Sequence, residues 1–172
     1  MKSLLAITLL LIIVSVAGAQ NKTAFPCKED PARRQFDFWV GEWDVYNKAG
    51  KLVGHSVVQN VSGECMILEN WTSAGGNYEG KSVNFYNAET KKWEQHWVGS
   101  QGDVAINSNG EFKDGAMRFV RETKAQDGSV LLNHFDFYNL GPDKVRQHLE
   151  TSKDNGTTWV TSFDYTYVRR KA

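Results

Sequence analysis

Thr161-Ser162-Phe163-Asp164-Tyr165-Thr166-Tyr167 and Lys81-Ser82-Val83-Asn84-Phe85-Tyr86 decide the fold. In both, side-chain character alternates with a period of two, as on a pleated strand with one buried face. Runs of the same kind, rich in Val, Thr, Phe, Tyr and Trp, fill most of the chain. Turn signals separate them: Lys48-Ala49-Gly50, Ser62-Gly63, Ala74-Gly75-Gly76, Asn87 to Lys91, Gly99 to Gly102, Asp114-Gly115, Gln126-Asp127-Gly128, Gly141-Pro142-Asp143 and Asp154-Asn155-Gly156. About ten strands follow, near 42–47, 51–60, 64–73, 78–88, 91–98, 103–113, 116–124, 129–139, 143–152 and 157–169, with Asn109-Gly110 as a bulge in the sixth. None of the three prolines interrupts a run. Every connection is short, so strands adjacent in sequence pair antiparallel. An open meander leaves two edges, and closure removes both. The expected fold is all-β, a single antiparallel up-and-down barrel; an open two-layer sandwich is the alternative. The sequence shows no internal repeat of useful quality.

The 172 residues are 41% hydrophobic, 12% aromatic and 23% charged, enough for one domain with a real core and far from a disordered composition. Twenty basic residues balance twenty acidic ones. A domain that grips phosphates should be basic, so nucleic acid is not an expected partner. Lys2, the apolar run Leu4 to Ala17 and Ala17-Gly18-Ala19 read as a secretory signal peptide over residues 1–19, cleaved after Ala19. The run is shorter than the roughly 20 residues a spanning helix needs, so no membrane span is expected. Export to the periplasm or the extracellular space is the expected localisation. There Cys27 and Cys65, the only cysteines, should pair. The disulfide would pin an extended arm (20–34), with a short helical turn between Arg33 and Trp39, onto the barrel domain (35–172).

Phe36-Asp37-Phe38-Trp39-Val40-Gly41-Glu42-Trp43-Asp44-Val45 leads an aromatic turn through Gly41-x-Trp43 into the first strand. This resembles the start of lipocalins and other calycins. Together with GECMILENWTSAGG, KKWEQHWV and VRQHLETSKDNGTTW, it resembles a family of exported bacterial calycin-like proteins over nearly all of the chain after the signal peptide. The resemblance implies structural roles: Trp43 plugs the closed end of the barrel, and a late arginine, Arg169 or Arg170, packs over it. It implies no catalytic or ligand-binding residue.

Ser152-Lys153-Asp154-Asn155-Gly156-Thr157-Thr158-Trp159 matches the Asp-box pattern of sialidase propellers. A propeller needs several copies and a longer chain. A structural hairpin turn is therefore expected, with Asp154 bonding the backbone, Gly156 at positive φ and Trp159 packed beneath.

No catalytic motif is present, and no metal site or cofactor is expected. His55, His96, His134 and His148 have no zinc spacing. One of them inside the barrel could hold haem, as in the calycin-like nitrobindins. Polar residues do share strand faces with aromatics: Glu69 with Trp71, Asn84 with Tyr86, and Gln95 with Trp97. Arg146, His148 and Glu150 form a further polar row. Turned inward, these nine residues would line an aromatic pocket with polar anchors for a small apolar or amphipathic ligand. Sequence alone does not set which parity faces inward. The leading function is an exported binding protein for a small, partly apolar ligand. The rivals are an enzyme pairing Glu69 or Glu150 with His148, and a filled, structural or interaction barrel. Oligomeric state is left open.

Overall fold

The alternation closes into the expected barrel. The computed structural model describes residues 26–171, so the expected signal peptide and cleavage site and residues 20–25 of the expected arm lie outside the described residues. Ten antiparallel strands form the wall: β1 (Gly41–Asn47), β2 (Leu52–Val61), β3 (Met66–Ser73), β4 (Glu79–Asn87), β5 (Lys92–Gly99), β6 (Val104–Lys113), β7 (Ala116–Lys124), β8 (Val130–Asn139), β9 (Lys144–Ser152) and β10 (Val160–Arg169). Each pairs with its neighbour in sequence. β1 then closes the ring against β10, from Trp43 opposite Arg169 to Asn47 opposite Tyr165. Asn109 takes a φ of 57°, and the β5–β6 register shifts beside it, as a bulge requires. Between β6 and β7 the register covers only Glu111 to Lys113 against Arg118 to Ala116.

Residues 26–34 depart from the expected extended arm. Asp30 accepts a hydrogen bond from the Ala32 N–H at 3.0 Å and caps a short helix, α1 (Pro31–Arg34), with Pro31 in its first turn. An aspartate followed by proline is a helix start, because the proline lacks the N–H that a first turn leaves unpaired. A 3-10 turn (Asp37–Trp39) follows. Cys27 and Cys65 form a disulfide across a sequence separation of 38, tying the segment to the β2–β3 turn. Arg33 donates to the Tyr86 carbonyl at 2.9 Å and Arg34 to the Glu64 carboxylate at 2.7 Å, fixing the same segment twice more.

That segment inserts Phe36 and Trp39 into one end of the barrel. Both are fully buried with Trp43, Phe119, Phe137 and Tyr167. Phe36 stacks on Trp39 at 5.1 Å and meets Phe137 edge-on at 5.0 Å. Such ring pairs each contribute about 0.5–1.5 kcal/mol beyond burial. The Trp43 indole N–H donates to the Trp39 carbonyl at 2.9 Å. This end of the lumen is solid.

β10 begins at Val160, three residues later than expected, because the Asp-box segment is a closed turn. Asp154 accepts from the Thr158 N–H at 2.8 Å and from the Ser152 hydroxyl at 2.7 Å. Gly156 takes a φ of 86°, and its carbonyl accepts from the Trp159 indole at 3.1 Å. Hydrogen bonds from the Thr158 hydroxyl and N–H and from the Ser152 hydroxyl hold the Asp154 carboxyl down at about 2.

Candidate functional site

The other half of the lumen is open. A cavity of about 450 Å³ extends from the aromatic plug to the β3–β4 and β5–β6 end of the barrel. Glycines make the room. The Trp71 ring packs against Gly54, where a Cβ would come within 2.4 Å of it, and Trp97 against Gly80, at 2.2 Å. Both indoles therefore form part of the wall and leave the lumen clear. Phe135, Leu149, Phe163 and Tyr165 complete the apolar lining. Tyr165 is near-parallel to Trp71 (centroids 6.4 Å, 11°) and to Phe163 (4.9 Å, 13°).

Among the polar residues of the lining, Glu69, Gln95, Arg121 and Gln147 come one from each of β3, β5, β7 and β9; Ser73, Asp103 and Asn107 line it as well. Glu69 is 2% exposed. Its carboxylate accepts from the Ser56 hydroxyl at 2.9 Å, the Ser82 hydroxyl at 2.9 Å and the Tyr167 hydroxyl at 3.4 Å. Burial disfavours the charge more than these three bonds favour it, and pushes the carboxyl up to about 7. Burial first, then the Glu69 charge, raises the Tyr167 phenol well above its ordinary range, so it stays a donor. Its oxygen lies 3.2 Å from the Gln147 amide oxygen, a second acceptor within reach. Gln95 accepts from the Asn107 amide at 2.9 Å.

Two wall atoms are shielded from water and have no partner: Arg121 Nε and Asn107 Oδ1. An unsatisfied buried polar group costs about 1–3 kcal/mol, more when charged. The two residues stand on either side of the β6–β7 seam, beyond its paired segment. Burial is the sole influence on Arg121, lowering the guanidinium's proton affinity; no carboxylate offsets it. At the mouth, Asp103 accepts from the Tyr78 hydroxyl at 2.7 Å and the Trp97 indole at 3.1 Å. These bonds hold its carboxyl below the ordinary range.

No protein-family model matches this chain, and no curated protein matches it in sequence.

Of the nine residues expected at a site, Glu69, Trp71, Gln95 and Trp97 line the cavity. Asn84 faces the lumen below it, fully buried, and donates to the Ser82 hydroxyl at 3.0 Å and the Ile67 carbonyl at 3.2 Å. Tyr86 lies at the closed end, 6.2 Å from the Trp93 ring, with the Arg33 guanidinium 5.6 Å away. Arg146, His148 and Glu150 are a correction to the expectation, since they stand on the outer face. There Arg146 forks onto Asp164 at 2.8 and 2.9 Å, His148 meets the Thr161 hydroxyl at 3.2 Å, and Glu150 meets His134 at 3.4 Å. The pleat gives the lumen their neighbours Val145, Gln147 and Leu149. His55 and His96 pair outside with Asp44 (2.7 Å) and Glu94 (3.0 Å). No histidine reaches Glu69 to form the acid–base pair of the rival enzyme reading, and a luminal haem would find no imidazole. Among the described residues no cluster of His, Cys, Asp or Glu could hold a metal ion.

Sequence reasoning missed Arg121, Asn107, Gln147 and Tyr167. A signal was present for two of them. Glu69, Gln95, Arg121 and Gln147 recur at one fixed interval, from 69 to 95 to 121 to 147. Hairpins of equal length return the chain to corresponding positions on successive strands of like direction. Gly54-x-Ser56 and Gly80-x-Ser82 keep the same interval. They supply the slots for the two indoles and the two hydroxyls on Glu69.

Proposed function

We propose that this chain is an exported binding protein that holds a small, partly apolar ligand in the open half of its barrel. The cavity carries this reading: about 450 Å³ of lumen walled by aromatic rings, with a few polar groups converging on it. Export is supported by the charged and apolar run before Ala19 and by the Cys27–Cys65 disulfide, which suits an oxidising compartment. Among the described residues no helix is long and apolar enough to cross a membrane. Kinship with exported calycin-like proteins is supported by Gly41-x-Trp43 and by Arg169 over the Trp43 ring.

An enzyme is the second reading, favoured by one observation: a luminal carboxyl, Glu69, that titrates near neutrality. Its oxygens are already engaged by three hydroxyls, which suits a structural acid better than a catalytic one. A barrel without a ligand is disfavoured by the open lumen itself.

Native mass spectrometry of the protein purified from its own exported fraction tests the proposal. A discrete added mass, lost on denaturation, is the expected result. A bare polypeptide mass that persists after incubation with aromatic and aliphatic metabolite extracts would overturn it.

A further inference from the structure

Arg121 is the one cation among the described residues that line the cavity. Every other arginine has a carboxylate: Arg33 with Asp30, Arg34 with Glu64, Arg118 with Asp136, Arg146 with Asp164, Arg169 with Asp143 and Arg170 with Asp44. Arg121 is the exception, and its Nε is closed off from water without a hydrogen-bond partner. The two carboxylates of the cavity are occupied elsewhere. Glu69 is held by Ser56, Ser82 and Tyr167, and Asp103 by Tyr78 and Trp97 at the mouth. Buried guanidinium groups pair with oxyanions, usually through two parallel N–H donors. Arg121, half-buried in the cavity wall, has no carboxylate among the described residues to receive its N–H donors.

Resting on the binding-protein reading, we propose that Arg121 is the head-group anchor of the site and that the ligand is a monocarboxylate with a flat, ring-bearing apolar body. A single guanidinium balances a single negative charge and leaves the second charge of a dianion uncompensated. The body is set by the wall. Trp71, Tyr165 and Phe163 present near-parallel rings, and Trp97 is held against Gly80 by its indole N–H bonds to Tyr78 and Asp103. Rings arranged this way favour a planar partner over a branched one. The β6–β7 seam flanked by Asn107 and Arg121 places the carboxylate on the β7 side, away from Glu69 on β3.

Titration calorimetry of the folded chain, disulfide closed, tests this with three probes of one shape: 2-naphthoate, 2-naphthalenemethanol and 2-naphthylmethylamine. The expected result is that 2-naphthoate binds at least about tenfold tighter than the alcohol, with the amine weakest. In Arg121→Met, which keeps the bulk and removes the charge, the preference for naphthoate over the alcohol should be lost. Arg121→Lys should retain part of the preference, because it keeps the charge and loses the fork. Alcohol binding as tight as naphthoate in the unmodified protein would overturn the carboxylate assignment and leave the binding protein standing. Failure of all three probes to bind would overturn the ring-bearing monocarboxylate assignment, while the binding-protein reading falls only on a bare polypeptide mass in the native spectra. The comparison within the unmodified protein holds even where a variant folds poorly.

Discussion

The Arg169 guanidinium lies 4.3 Å from the centroid of the Trp43 ring, on the residue directly opposite it in the β1–β10 register. The pair joins the two strands that close the barrel. Arg169 also donates to the Pro142 carbonyl at 2.7 Å and reaches the Val40 carbonyl at 3.5 Å, so it stitches the plug segment to the β8–β9 turn. Gly41 is the space it occupies: a Cβ there would sit 2.2 Å from Arg169 Nη1, on a backbone with φ of +150°.

The first prediction separates those two demands on Gly41. Gly41→Ala should destabilise the protein by about 2–3 kcal/mol, combining backbone strain with displacement of the guanidinium. In an Arg169→Ala background the clash is gone and only the backbone part remains. Chemical denaturation of the four proteins of this double-mutant cycle gives the coupling. Additive effects would show that the close approach of Gly41 and Arg169 is without energetic consequence.

The barrel was legible because alternation, turn residues and the Gly41-x-Trp43 start all point the same way. The wall's inner face was legible only in part. On β9 the ordinary rule holds, with Val145 and Leu149 inside and Arg146, His148 and Glu150 outside. On β3 the rule is broken, since Glu69 is buried. A single strand does not reveal which case applies. The difference lies in the cross-strand partners: Glu69 stands beside Ser56 and Ser82, whose small hydroxyls solvate it from both neighbouring strands. Arg146 meets Asp164, a charge that itself needs water. Arg121 was hidden for a different reason. Nothing in its own stretch marks it as luminal, and only its interval from Glu69 and Gln95 does.

The disulfide holds the plug rather than the wall. Cys27 lies before α1 and Cys65 in the β2–β3 turn, with a separation of 38 residues. Closing a loop of that length contributes about 4 kcal/mol in the chain-entropy model. Cys27→Ser with Cys65→Ser should therefore lower the denaturation midpoint substantially while keeping a β-rich circular dichroism spectrum. Unchanged stability of the double variant would show that the Arg33 and Arg34 contacts hold the segment on their own.

Gly80→Ala should close the cavity from the side. The new methyl group falls 2.2 Å from the Trp97 ring, so the indole must leave its slot. Its anchors on Tyr78 (3.2 Å) and Asp103 (3.1 Å) at the mouth would break as it swings into the lumen. Ligand affinity is expected to drop by about tenfold or more, with a stability loss of only about 1–3 kcal/mol from overpacking. Tryptophan fluorescence reports the move as a shifted emission maximum. A variant that binds as tightly as the parent would show that the cavity does not depend on the glycine slots.

Glu69 gives the barrel an unusual pH dependence. Its carboxyl titrates at about 7 in the folded protein against 4.5 as the ordinary value. Between those limits the folded state keeps a proton that the unfolded chain has already released. The folded state thus binds more protons there, and stability falls as pH rises through that window. At higher pH both states are ionised and the loss is complete, on the order of 3 kcal/mol. Carboxyls held low by their partners, such as Glu94 and Asp164, act in the opposite sense but at lower pH. The comparison that isolates Glu69 is with Glu69→Gln. This variant keeps the shape, keeps partners for Ser56 and Ser82, and cannot ionise. Urea midpoints at pH 5 and pH 8 should differ more in the parent than in Glu69→Gln, and the parent should be the more stable at pH 5. Equal pH dependence in the two proteins would mean that the buried carboxyl is ionised throughout this range, with its three hydroxyls outweighing its burial.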